Sequence, residues 1–333
     1  MVIYRGASAW IRCLPMVKPL VSIRGLSKTF PSDRGPVFAI QDVSFDIPKG
    51  SIMGLVGESG SGKTTLGRTI LRLIEPTSGT TIFDDKDLNT LDATDMRTMR
   101  RRMQIIFQDP VASLNPRMRV REIIAEGLVA HGIGSRRERE DKVVALLEEV
   151  GLQPEDAHRF PHEFSGGQKQ RIGIARALAL DPDFIVADES VSALDVSIQA
   201  QVLNLLLDIR DRRSLTMLFI AHDLSVVEYL CDLTTVMYLG RAVEIGPSHI
   251  VYTKPVHPYT RALLSAIPEP KPDAVSGREI LQGDIPSPLA PPSGCVFRTR
   301  CRHSNTTCAE ALPLLTPWGA GREAACIRLS EIS

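Results

Sequence analysis

The chain has 333 residues with 39 Lys and Arg against 39 Asp and Glu, a formal net charge of zero; 43% of it is hydrophobic and 23% charged. At about 150 residues per domain, this length holds about two domains and a sizeable core. The charge balance excludes the footprint of a general nucleic-acid binder, and the composition excludes a largely disordered or fibrous chain.

Charges and prolines break every apolar run before the roughly 18 residues a spanning helix needs. Met1 to Leu20 lacks the continuous apolar core and small-residue cleavage site of a signal peptide, so the chain reads as cytoplasmic. Residues 1–17 read as a disordered extension, with Met16 an alternative start.

From Leu20 to Ile47, alternating apolar residues (Val21 and Ile23, then Val43, Phe45 and Ile47) predict strands around a turn at Pro31 to Pro36, a small N-terminal β layer. Ser51 to Val56 predicts a buried strand, followed by a Gly-rich loop and a helix over Thr64 to Ile74. Residues 109–163 predict a helical insert: Val143, Leu146, Leu147 and Val150 share one helix face, with Gly151 placed as its C-terminal cap.

Next come a helix over Gly167 to Leu180, a strand over Phe184 to Ala187, a helix over Ser197 to Arg210 and a strand over Met217 to Ala221. Such alternation predicts a mainly parallel sheet. Beyond Thr253, prolines and clustered cysteines mark a loop-rich C-terminal extension. The division read from this is 18–252 for the core, with the insert at about 109–163, and 253–333 for the extension. The charged runs Arg97 to Arg102 and Arg136 to Lys142 read as solvated helix faces.

Gly57-Glu58-Ser59-Gly60-Ser61-Gly62-Lys63-Thr64, with Thr65 after it, fits the P-loop pattern between a strand and a helix. Glycines let amide N–H groups turn inward on phosphates, the helix N-terminus adds positive dipole, Lys63 supplies charge and Thr64 a Mg²⁺ ligand. Phe184 to Ala187 then delivers Asp188 and Glu189 to the carboxyl end of the sheet, where ligands bind in open α/β folds. Asp188 suits Mg²⁺, and Glu189 suits polarising an attacking water. Ser165-Gly166-Gly167-Gln168 opens another helix, with Ser165 as N-cap and two glycines that allow close approach of a phosphate.

In this order, the P-loop, the Ser-Gly-Gly-Gln signature and Asp188-Glu189 resemble the nucleotide-binding subunit of an ABC transporter. The resemblance implies an α/β P-loop NTPase fold, ATP and Mg²⁺ as cofactors, and ATP held between the P-loop of one subunit and the signature helix of another. It further implies Gln108 as the Q-loop glutamine, Ser192-Ala193-Leu194-Asp195 as the D-loop, His222 as the switch histidine and Phe30 as the aromatic that stacks on adenine. Where the family usually has proline after the glutamate, this chain has Ser190, which implies altered stiffness with catalysis intact.

Phe107-Gln108-Asp109-Pro110 and the run Pro255 to Leu264, followed by Ile267-Pro268, resemble oligopeptide and dipeptide importer ATPases. The resemblance implies a second ATPase subunit, identical or related, two permeases, a peptide-binding protein, and a place on the cytoplasmic side of the inner membrane. Nickel or an oligosaccharide as cargo stays open, as does a soluble ATPase acting on nucleic acid, which zero net charge disfavours. His257 and Tyr259 read as a Pro-fixed packing element. Cys295, Cys301, Cys308 and Cys326 lack C-x-x-C pairs and suit a [4Fe–4S] cluster as in some relatives, with zinc and plain thiols as alternatives.

Overall fold

The computed structural model describes residues 18–191, 194–266, 281 and 283–332. The N-terminal extension, Ser192 and Ala193 of the D-loop, and Ile267-Pro268 lie outside the described residues. In chain order the elements are β1 (Pro19–Phe30), β2 (Val37–Pro48), β3 (Ile52–Val56), α1 (Lys63–Ile70), β4 (Ser78–Phe83), β5 (Lys86–Asp87), α2 (Ala93–Arg102) and β6 (Met103–Ile106). Helices α3 (Val120–Ala130), α4 (Arg136–Glu149) and α5 (Gly166–Leu178) come next, then β7 (Phe184–Asp188), α6 (Val196–Arg213), β8 (Thr216–Ala221) and α7 (Leu224–Leu230). The chain closes with β9 (Leu233–Tyr238), β10 (Arg241–Pro247), α8 (Ser248–Thr253), α9 (Pro258–Ser265), α10 (Thr307–Glu310), β11 (Thr316–Pro317), β12 (Glu323–Ala324) and α11 (Leu329–Ile332).

Two sheets organise the molecule. A four-stranded antiparallel layer runs β2-β1-β4-β5, and an eight-stranded sheet runs β11-β12-β10-β9-β3-β8-β7-β6. In the larger sheet β9, β3, β8, β7 and β6 are parallel, whereas β9-β10, β10-β12 and β12-β11 are antiparallel. The mainly parallel sheet is therefore present but ends in an antiparallel edge, two strands of which come from the C-terminal extension. β3, β7 and β8 are buried along their whole length, as their unbroken apolar runs require of strands covered on both faces.

One apolar cluster packs α1 through Leu66 and Ile70 between the larger sheet and the β1–β2 layer. On the other face a larger cluster joins the helical insert, through Ile123, Leu128, Val143 and Leu147, to α5, α6 and the sheet. In α4 the apolar residues fall where the spacing placed them. Ser135 and Glu138 cap its start reciprocally, and Gly151, at φ 73°, closes its end with Leu152 N–H donating to the Leu147 carbonyl.

The helix after the Gly-rich loop is shorter than its sequence suggests. It ends at Ile70, because Arg72 turns into the left-handed region at φ 50° and the Leu73 amide reaches back to Arg68; Leu73 is exposed rather than continuing the apolar face. Among the described residues, no helix is long and apolar enough to cross a membrane.

Candidate functional site

The Gly-rich loop joins the carboxyl end of β3 to the start of α1. Its first and last glycines have specific steric reasons: Gly57 has φ 153° and Gly62 φ 97°, and a Cβ on either would come within 2.2 Å of a carbonyl oxygen, that of Met237 or of Ala39. β9, which flanks β3, and β2 of the other sheet thus press the loop into shape. No side chain caps the N-terminus of α1, and no acidic residue lies in its first turn, so its amides and dipole are left for a ligand. Ser59 and Gly60 are exposed at the loop tip, Ser61 is buried with an unpartnered hydroxyl, and Thr65 is half-buried on α1.

Lys63 is buried, and its Nζ donates to the carbonyls of Gly57 (2.8 Å) and Glu58 (3.0 Å). Burial lowers its pKa, while Glu189, Asp188 and Glu58 oppose the shift. Thr64 Oγ1 donates to Asp188 Oδ1 at 2.8 Å. Asp188 is wholly buried, and burial is the main force raising its pKa, aided by neighbouring Glu189 and opposed by Thr64, Arg68 and Lys63. Its other oxygen, Oδ2, has no hydrogen bond; Arg68 stands 3.6 Å away, an ion-pair separation too long for a hydrogen bond. An orphaned carboxylate oxygen beside a hydroxyl at the lip of a phosphate-shaped loop fits a Mg²⁺ site, in which Thr64 and Asp188 would be ligands and Gln108 a third candidate.

Gln108 Nε2 donates to Glu189 Oε2 at 2.8 Å, which brings the Q-loop candidate and the catalytic candidate together. Glu189 has φ 41°, and its amide donates to the Ile220 carbonyl of β8. A non-glycine residue at positive φ carries strain, which structures tend to retain at functional sites. The following Ser190 is buried with its hydroxyl unpartnered, so a serine here brings a polar atom that no neighbour satisfies. His222 is exposed just past β8, whose Ile220 pairs with Asp188 in the adjacent strand.

Ser165 caps α5, accepting from the Gln168 amide while Gln168 Oε1 accepts from the Ser165 amide. Gly166 is exposed, but Gly167 is buried, and a Cβ on it would come within 2.4 Å of Ile198 Cγ2 on α6. The small size of Gly167 thus lets α5 pack against α6. Arg176, farther along α5, stacks over Phe107 and donates to the Ser113 carbonyl, linking the signature helix to the Q-loop segment; nothing in the sequence pointed to that link. Asp195 is exposed ahead of α6. Phe30 is half-buried at the end of β1 with Lys28 Nζ 4.9 Å from its ring centre, while Phe38 lies on β2, where its amide donates to the Pro288 carbonyl of the extension.

The extension reaches farther into this site than its sequence shows. His257 is fully buried; its Nδ1 accepts from the Tyr259 amide at the start of α9, and burial pushes its pKa down to about 3, opposed by the Ala325 backbone, so it is neutral. Glu244 on β10 accepts the amides of Val256 and His257. Tyr259 OH accepts from the amide of Glu58 in the Gly-rich loop, so this tyrosine does more than pack locally.

Cys295, Cys301, Cys308 and Cys326 line one small apolar pocket with Phe297 and Ile332, and all four are free thiols. Burial pushes the Cys295 thiol up to about 11, and the neighbouring thiols add to the shift. Although the four converge on one pocket, among the described residues no group of three or more His, Cys, Asp or Glu is placed to hold a metal ion. The expected iron–sulfur cluster thus finds its four thiols in one pocket but not in a metal-holding arrangement.

Comparison with known proteins agrees with this arrangement. Residues 40–192 match the ABC transporter family, and residues 243–308 match the C-terminal region of oligopeptide/dipeptide transporters. A Brucella ovis protein named for peptide import and ATP binding is 60% identical over 93% of this chain and 98% of its own. The oligopeptide transport ATP-binding protein AppF of Bacillus subtilis is 49% identical over 88% of this chain and 92% of its own. The fold is also similar to the dimeric ATP-binding cassette MJ0796 bound to ADP and Pi, at TM-score 0.63 and 28% identity over 68% of this chain and 98% of that one. Likewise it matches cbiO1 of Clostridium perfringens, part of the ABC transporter complex cbiONQ, at TM-score 0.64 and 25% identity over 71% of this chain and 91% of that one. With relatives this similar spanning nearly its whole length, the chain belongs to the ATP-binding subunits of ABC transporters, in their oligopeptide/dipeptide importer branch.

Proposed function

We propose that this chain hydrolyses ATP to drive import of peptides through a membrane ABC transporter, working at the cytoplasmic face of the inner membrane. The observation that carries the reading is the constellation at the sheet's carboxyl end: an uncapped α1 N-terminus, Thr64 bonded to Asp188, and Gln108 bonded to Glu189. The names of its relatives support peptides as the cargo.

In this reading the amides from Gly57 to Thr65 receive the phosphates, and Lys63 leaves the two loop carbonyls to pair with the β- and γ-phosphates. Mg²⁺, when bound at Thr64 and Asp188, supplies charge neutralisation at those phosphates. Glu189 accepts the proton of the attacking water, Gln108 orients Glu189 and reports on the insert, and His222 donates toward the γ-phosphate. Ser165, Gly166, Gly167 and Gln168 of a second ATPase subunit, together with its Asp195, face the same nucleotide across a dimer, while Phe30 stacks on adenine. Core and extension divide at about residue 252 in this reading.

The partners are a like or related ATPase, two permeases and a peptide-binding protein. A groove of about 730 Å³ between α3 and α4, lined by Met118, Val129 and Val143 among charged neighbours, supports docking of a permease on the insert. An iron–sulfur cluster at the four cysteines is a separate proposal, supported only by their sharing a pocket; iron and sulfide assays of anaerobically purified protein test it, and an iron-free product would refute it.

The test of the transport reading is purification of the tagged chain from native membranes, with ATP hydrolysis measured with and without short peptides and the co-purified binding protein. The expected result is permeases in the complex and hydrolysis raised by peptide. Permeases without peptide stimulation would move the cargo to another solute, and ribosomes or DNA in their place would overturn transport.

A further inference from the structure

The C-terminal extension reaches Glu58 of the Gly-rich loop from two directions. Arg300 forms a bidentate ion pair with the Glu58 carboxylate, with Nη–O distances of 2.7 and 3.1 Å, and the Arg300 side chain is only 6% exposed. Tyr259 OH accepts the Glu58 amide at 2.9 Å. The carbonyl of that same residue is one of the two that hold Lys63 Nζ. Glu58 is thus tied at its amide, its side chain and its carbonyl.

These contacts stand on a firm base. Tyr259, Tyr238 of β9 and Phe297 form a three-ring cluster with centroids 4.7 to 5.3 Å apart, and Arg300 lies over the Tyr238 ring. Glu58 and Tyr238 both favour the charged form of the Arg300 guanidinium, and burial raises the pKa of the Tyr259 hydroxyl, so it remains a neutral acceptor. A planar guanidinium on a carboxylate fixes direction as well as distance, which a lysine cannot match.

We propose that Tyr259 and Arg300 are positioning residues for the phosphate loop: from the extension they hold the Glu58 peptide, whose carbonyl Lys63 vacates on binding, in the shape that receives ATP. This rests on the reading that the loop from Gly57 to Thr64 is the ATP site. It assigns the extension a part in nucleotide binding by the subunit that carries it. Pre-organisation of this kind is expected to act mainly on ATP affinity, because a loosened loop must be re-ordered on each binding event.

The test uses the full chain, a fluorescent ATP analogue, steady-state hydrolysis and thermal melting, with Lys63→Ala as reference. Tyr259→Phe, which keeps the buried ring, is expected to raise the Kd about 3- to 10-fold, and Arg300→Ala about 10-fold or more, at a temperature where each variant is fully folded. Arg300→Lys is expected to recover part of the loss, since it restores the charge without the fork. If Arg300→Ala does not fold, Tyr259→Phe and Arg300→Lys decide the matter. Variants that melt earlier yet bind ATP within about twofold of wild type would overturn the proposal and leave both residues as packing. A wild-type chain that binds no ATP, or binds it equally well without Lys63, would overturn this proposal together with the ATP reading beneath it.

Discussion

The two Gly-rich helix starts, α1 and α5, look alike in sequence and differ in physics. At α1 the glycines adopt positive φ and press against the carbonyls of Met237 and Ala39, and the helix N-terminus is left without a cap. At α5 Ser165 and Gln168 each accept the other's amide, and Gly167 is small because Ile198 occupies the space where its side chain would be. A glycine motif therefore marks backbone crowding in general; only an uncapped N-terminus beside buried charge makes it a ready anion site. In the proposed function, α1 grips the nucleotide within its own subunit, and α5 offers a stiff, pre-capped surface to a partner.

Substitutions can break or sharpen this contrast. Lys63→Ala, at the anion end, is expected to lower ATP turnover by about 10²- to 10³-fold, measured as phosphate release; a loss below about tenfold would contradict the role given to α1. Gly167→Ala, in the packed α5–α6 contact, is expected to lower stability by about 1–3 kcal/mol, while Gly166→Ala, whose Cβ would meet, among the described residues, only Leu194 at 3.7 Å, stays within about 0.5 kcal/mol. Denaturant titration checks both, and equal effects would refute the packing account.

The extension adds a dependence on pH. Burial holds His257 at a pKa of about 3, below its ordinary unfolded value of about 6.5, so its contribution to stability is full above that value and is lost as pH falls toward the folded one. The slope is at most about 1.4 kcal/mol per pH unit, and His257→Asn, which keeps a cap acceptor, is expected to reduce it in melts between pH 7 and 4. Ser165→Ala, which removes an exposed cap, costs about 1 kcal/mol; a loss of several kcal/mol would show that Ser165 does more for the fold than cap α5.

Much of the core was legible because its signals are local. An unbroken apolar run predicted β3, an i, i+3, i+4 pattern predicted α4, and Asp188-Glu189 sits at a strand end just where the run Phe184 to Ala187 stops. Other features were not legible, because they join residues far apart in sequence. Arg300 carries no motif, and its pairing with Glu58 exists only because the three-ring cluster brings the extension onto β9. Tyr259 read as a packing residue, since its hydroxyl's partner is a backbone amide that has no letter of its own. The end of α1 was misplaced because Leu73 and Ile74 continue the apolar letters after Arg72 has turned the chain.

The most direct test of the central claim, that Asp188-Glu189 and the α1 N-terminus form an ATP-hydrolysing centre, is a paired measurement of ATP binding and phosphate release in the wild type and Glu189→Gln. The predicted result is unchanged ATP affinity with turnover lower by about 10²- to 10⁴-fold. Wild-type turnover in the variant would contradict the account.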